Sequence, residues 1–287
     1  MKPFAFTVAL SGLAAAFRPP QIVFENAPRA AGIPTSRQSA VLGRRILALS
    51  KLATFSTVFP DPDALDIYDE SDASSYGRPD NLAGVPVGLV DYVADCEDQG
   101  NPTVLAVNIG TSFRNVQAGS KLTISMNWVP PYPPARRLTF LSRISAYLPF
   151  YSRTRRYGDH HKRPEGAHMP DTAPYSAANL PRFSLFGYLE AVGPSRSKKM
   201  ELASCYVERH QDAKIWLPGT DAPHKTEWNR FVVTAIYWVG GFGDRAYIGW
   251  IPVEQWRNVT RDEWQSVRLP GERKGWDERK GWDQGDL

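Results

Sequence analysis

Trp238-Val-Gly-Gly-Phe-Gly-Asp-Arg-Ala-Tyr-Ile248 ends a long apolar run and turns through three glycines into a second one. Glycine reaches positive φ and carries no Cβ, so Gly240, Gly241 and Gly243 suit a tight hairpin packed beneath aromatic side chains. Phe231 to Val239, just before it, is the longest β-branched strand pattern in the chain, and Tyr247 to Ile251 is its expected partner. Beyond the hairpin, Pro252 opens a short helix that includes Trp256. Upstream, Arg182 to Val192 reads as a strand with Phe183, Leu185, Gly187 and Leu189 on one face.

Further outward the pattern alternates between strands and short helices. Pro34-Thr35-Ser36 starts a helix in which Val41, Leu42, Ile46 and Leu49 recur at helical spacing, with Arg44 and Arg45 expected outward and an end near Ser50. Leu52 to Phe59 alternates apolar and hydroxyl residues, the period of a half-buried strand. Residues 60–83 are acidic and punctuated by proline, hence a loop. Val85 to Ala94 and Thr103 to Asn108 are the next strands. Gly110-Thr111-Ser112 is expected to cap a helix running through Gln117, which Gly119 stops before a strand from Lys121 to Trp128. Backbone amides at that helix start suit an anion, although an ordinary capped turn fits the same residues. Ser195 or Ser197 caps a later helix with Met200, Ala203, Tyr206 and Val207 expected inward and Arg209-His210 at its end.

The chain has 287 residues, 24 of them proline and 22 glycine, which argues for one large, mainly non-helical domain with irregular additions. Residues 1–16 have the layout of a secretory signal peptide: Lys2, an apolar stretch, then Ala14-Ala15-Ala16. The alternative for this stretch is a buried first helix. No later segment reaches the ~18 apolar residues needed to span a bilayer. Export gives Asn258-Val-Thr260 the meaning of an N-glycosylation acceptor; Pro102 spoils the triplet at Asn101. Cys96 and Cys205 pair in such a compartment or remain buried thiols, and the sequence leaves both open.

Residues 129–180 interrupt the pattern. Eight basic residues stand against three acidic ones there, after Pro130, Pro131, Pro133 and Pro134. The segment reads as a solvated Pro/Arg-rich insertion rather than a contact for nucleic acid or anionic lipid headgroups, and His160, His161 and His168 lack the partners of a metal site. Residues 17–34 form a linker, 35–128 and 181–260 the two parts of one domain, and 261–287 a charged, flexible tail that repeats Arg-Lys-Gly-Trp-Asp.

One helix followed by six or so antiparallel strands, with two helices between them, gives a small closed barrel. Four pieces in order carry a resemblance: Arg44-Arg-Ile-Leu leading into Leu52-Ala-Thr-Phe-Ser-Thr; Asn115-Val-Gln before Leu122-Thr-Ile-Ser-Met; Glu208-Arg-His with Ala213-Lys-Ile-Trp-Leu-Pro; and Ile251-Pro-Val-Glu-Gln-Trp-Arg-Asn-Val-Thr. Together they resemble the FMN-binding split β-barrel superfamily that includes pyridoxamine 5′-phosphate oxidase, an antiparallel Greek-key barrel, and within it the secreted CREG glycoproteins. Gly240 to Ala246 is similar to the haem-handling branch.

The resemblance implies a homodimer with any cofactor between two barrels. In flavin-binding relatives, basic residues on the second strand and polar residues at the next helix start hold the phosphate. Here Thr111, Ser112 and Arg114 match the helix start, as a vestigial or weak anion site, whereas Gly84 to Ala94 has no Arg or Lys and carries Asp91. The expectation is therefore a secreted or lumenal (extracellular, endolysosomal or vacuolar) glycoprotein, non-catalytic and without cofactor, acting on an unidentified protein or receptor. The alternative is an FMN-dependent oxidoreductase or a haem-binding or haem-degrading enzyme, in which His210 serves a ligand. A structural histidine at a helix end is the simpler reading of His210.

Overall fold

The computed structural model describes residues 32–61, 79, 81–131, 177–193, 195–221, 223–243 and 246–272. The expected signal peptide over 1–16, nearly all of the expected linker, most of the expected 60–83 loop, the body of the expected 129–180 insertion with its three histidines, and the repeats after 272 lie outside those residues. The elements below all belong to the unit Ile33–Leu287.

Helix α1 spans Ser36–Leu49 and starts at Thr35 in a capping box: Thr35 Oγ1 accepts from the Gln38 amide while Gln38 Oε1 accepts from the Thr35 amide. That reciprocal pair satisfies two of the amides a helix start leaves without partners. Seven strands follow: β1 (Leu52–Val58), β2 (Pro86–Tyr92), β3 (Thr103–Val107), β4 (Leu122–Asn127), β5 (Arg182–Ala191), β6 (Thr226–Val239) and β7 (Ile248–Ile251). Helices α2 (Thr111–Gln117), α3 (Arg196–Arg209), α4 (Val253–Arg257) and α5 (Arg261–Ser266) lie between or after them.

All pairings are antiparallel, in the order β2-β1-β4-β5-β6-β3, with β7 beside the far half of β6. A bridge between Ala94 and Thr103 joins the chain just past β2 to the start of β3. The ring closes at that end and stays split along the rest of β2 and β3. Period-two alternation fills the interior with Phe55, Ile124, Leu185, Phe231, Ile236 and Trp238, and α1 adds Ile46 and Leu47. A bulge shifts the β5–β6 register between Phe186 and Gly187, where a Cβ on Gly187 would stand 2.0 Å from the Val232 carbonyl oxygen. Only glycine fits so close an approach.

The glycine hairpin behaves as its sequence dictates: Gly241 adopts φ 152°, and a Cβ on Gly240 would lie 2.8 Å from Trp238 Nε1. Four expectations need correction. Arg44 is not outward but wholly buried, because α1 lies between the barrel and α4 and α5 and has few solvent-facing positions. Met200 is exposed and Leu202 is buried, since Leu202 and Tyr206 are the pair one helical turn apart on the packed face. Neither Ser195 nor Ser197 caps α3; their hydroxyls bond each other at 3.0 Å. Residues 261–272 are no tail: α5 forms on a capping box at Thr260, and Trp264, Val267 and Leu269 join the core.

Candidate functional site

The sequence places a candidate anion site at the start of α2. Gly110 occupies the N-cap position without a side-chain cap, so neither Thr111 nor Ser112 supplies the expected capping bond. Thr111 is half-buried, while Ser112 and Arg114 are 3% and 7% exposed. One helical turn brings the three together in sequence, but they do not open together onto solvent. Asn115, on the same turn, donates to Thr57 Oγ1 at 3.0 Å and ties α2 to β1.

Opposite Ala53 on the inward side of β2 lies Asp91, in the strand on which a flavin-binding relative is expected to offer a cation. Burial pushes its carboxyl up, while the Tyr92 amide, donating to Oδ1 at 2.8 Å, pulls it down. The inward positions of β2 are Val87, Leu89 and Asp91, and none is basic.

His210 is the C-cap of α3 and is 3% exposed. Its Nε2 lies 2.9 Å from the Val93 carbonyl oxygen, and its ring stacks on Tyr92 at 4.6 Å and tilts against Tyr206 at 4.8 Å. This is a packed histidine with its donor used. Asn258 is exposed at the C-cap of α4, so its side chain is accessible for a glycan.

Sequence reasoning missed a four-residue bend, Asp95-Cys-Glu-Asp98. Between them its side chains fasten α1, α3, α5 and β6. Arg44 Nη2 donates to Asp95 Oδ2 and Asp98 Oδ1, both at 3.3 Å, while Nη1 donates to the carbonyls of Trp256 and Val259. Cys96 and Cys205 form a disulfide with Cα atoms 5.7 Å apart, fastening α3. Glu97 pairs with Arg230 on β6 and with Lys198 on α3; the Arg230 hydrogen bond holds its carboxyl below the usual range. Asp98 also accepts from Trp264 Nε1 at 3.0 Å and from Arg261 Nε at 2.8 Å. Three acids flanking one cysteine, in a chain with an Arg-Arg pair on its first helix, was the available signal.

A second feature is the outer face of the sheet. The registers align Trp250, Tyr237, Ser184, Ser125, Thr54 and Val90 in one row across six strands, with no charged side chain in it. Trp250 is 58% and Val90 65% exposed, and Tyr237 packs edge-on against Trp250 at 5.2 Å. Beside the row, Phe186 contacts Trp250 at 5.6 Å and Tyr188 is exposed. An open depression of about 320 Å³ lies elsewhere, lined by residues including Thr220, His224, Lys225 and Glu227. Among the described residues, no group of three His, Cys, Asp or Glu side chains is arranged to hold a metal ion. No helix among them is long and apolar enough to cross a membrane.

A family model described as CREG, beta-barrel matches residues 34–258. Among solved structures, the chain is similar to a heme binding protein from Mycobacterium smegmatis, with 13% identity and a TM-score of 0.41 over 80% of this chain and 62% of that one. It is also similar to HutZ, a heme storage protein from Vibrio cholerae, at 13% identity and a TM-score of 0.35, over 68% of this chain and 89% of that one. A third is a pyridoxamine 5′-phosphate oxidase-related, FMN binding protein from Nostoc punctiforme, at 11% identity and a TM-score of 0.31, over 74% of this chain and 86% of that one. No curated protein matches the chain.

Proposed function

Because the chain belongs to the CREG β-barrel family, we propose that it is a secreted or lumenal, non-catalytic split-barrel glycoprotein that acts by binding other molecules as a homodimer. The observation that carries this reading is Asp91 on the inward side of β2, in a strand without a single cation. A flavin phosphate is a dianion, and taking it out of water demands several charge-assisted hydrogen bonds from cations or amides. The residues present do not fit that group. Ser112 and Arg114 are buried within the fold, Thr111 is half-buried, and β2 carries a carboxylate and no cation. Recognition of other molecules through surface is the activity this arrangement favours.

Three further features support the reading. The Cys96–Cys205 bridge suits an oxidising compartment, in keeping with the leader-like sequence of residues 1–16. Asn258 is exposed for glycan attachment. The uncharged row from Trp250 to Val90 is a surface that a second barrel would cover, since aromatic residues free of charge typify the centre of protein interfaces.

Titration of the purified, disulfide-intact protein with FMN, and separately with haem, followed by visible absorbance and calorimetry, tests the proposal. The expected result is no saturable binding of either. Stoichiometric retention of FMN, with a yellow protein, would overturn it in favour of an FMN-dependent oxidoreductase; saturable haem binding would overturn it in favour of a haem-handling protein.

A further inference from the structure

Helix α3 and the 3₁₀ turn after it, Gln211–Trp216, lie over the outer side of β3 and β6 and are packed apart from the main core. Their inward contacts come from Leu202, Tyr206 and Ala213, set against Ala94, Leu105 and Trp228. Met200 and Ile215, on the same segment, face solvent. The helix start has no side-chain cap. One covalent tether, Cys96–Cys205, holds the segment to the bend after β2.

His210 sits where α3 gives way to the 3₁₀ turn, between the rings of Tyr92 and Tyr206. A carbonyl oxygen only accepts, so Nε2, 2.9 Å from Val93 O, carries the proton of the neutral ring and Nδ1 holds the lone pair. A proton added at Nδ1 would create an imidazolium in a site that excludes water, which is costly. The groups facing the ring are few and known. From β2 comes Tyr92, whose hydroxyl donates to Asp212; from the 3₁₀ turn, Asp212; from α3, Tyr206 and Arg209; and from the residue before β1, Lys51. Asp212 favours a charged ring, whereas Lys51 and Arg209 oppose it.

We propose that residues 195–221 form an acid-released flap: protonation of His210 lets it leave the surface of β3 and β6, while the Cys96–Cys205 bridge keeps it attached. Burial, outweighing the Val93 bond and Asp212, holds the His210 pKa below its ordinary value. A histidine depressed in the folded state adds stability above the unfolded value of about 6.5, and that stability is lost as pH falls through and below it. Each pH unit in that window raises the opening equilibrium by up to about tenfold.

Hydrogen–deuterium exchange on the full, disulfide-intact chain at pH 7.5 and 5.5, with labelling times scaled for intrinsic exchange, tests the flap. Peptides from 196–216 are expected to exchange about five- to tenfold faster at pH 5.5 while those from α1 and β4 keep their protection. Equal protection at both values, or loss spread evenly over the molecule, would overturn the proposal. His210→Gln keeps a donor for Val93 and cannot ionise, so it should abolish the difference; a persisting difference also counts against it. Should that variant not fold, the ring titration of His210 in the unaltered protein, followed by NMR, decides: a value below the ordinary histidine range supports the flap and one at or above it refutes it.

Discussion

Arg44 shows what a periodic pattern conveys about a single residue and what it does not. The spacing of Val41, Leu42 and Ile46 correctly marks α1 as a helix with a packed side, but it carries no information about a second layer over the opposite side. With α4 and α5 in place, Arg44 has no exposed atoms and meets two carboxylates and two carbonyls. Burial pushes the Asp95 carboxyl up, with Asp98 adding to it and Arg44 pulling the other way. Removing the cation would leave both acids and both carbonyls without it, so Arg44→Met should cost about 3–5 kcal/mol of stability in urea unfolding. A loss under about 1 kcal/mol would mean the cluster is solvated in solution. At Asn258, by contrast, the triplet alone nominates the residue as a glycan acceptor, and its exposure leaves it accessible. Protein recovered from a eukaryotic secretory host should lose mass on enzymatic deglycosylation, and Asn258→Gln should remove that loss; identical masses before and after treatment contradict the assignment.

Among the elements, the strands were legible because alternation and glycine are local signals: β1, β4, β5 and the β6–β7 hairpin fall within a few residues of where sequence places them. β2 falls within the expected strand Val85 to Ala94, as an edge strand with Leu89 and Val90 exposed. Helix α5 was missed because Trp264, Val267 and Leu269 are spread among charged residues, and their burial depends on α1 beneath them. The pairing of Cys96 with Cys205 was equally unreadable, since two cysteines 109 residues apart become neighbours only through the sheet order. A bridge closing a loop of that size restricts the unfolded chain strongly. Replacing both cysteines by serine should lower stability by about 4–5 kcal/mol, as measured by denaturant midpoint at unchanged slope. An unchanged midpoint would show that the bridge does not form.

For the whole molecule, the sheet order carries one uncharged row, Trp250 to Val90, about 25 Å along the curved outer side of six strands at ordinary strand spacing. Under the homodimer reading, light scattering after size exclusion should give twice the protomer mass, and Val90→Lys, which places a charge in the row without touching the core, should shift the protein to monomer. A monomeric parent protein, or a variant as dimeric as the parent, would exclude this face. The candidate anion site was legible in residue type but not in access, because exposure of Ser112 and Arg114 depends on how α2 seats on β1, which no local pattern encodes.

The bend at Asp95–Asp98 gives the molecule a length constraint as well as a set of bonds. Four successive side chains carry these bonds, with Arg44 shared between the first and the last, so inserting or deleting one residue there would put the wrong side chain opposite Arg44, Cys205 and Arg230 at once. At this bend the residue count itself is a structural requirement, because no shift of register keeps the buried cation, the bridge and the Glu97 pair together.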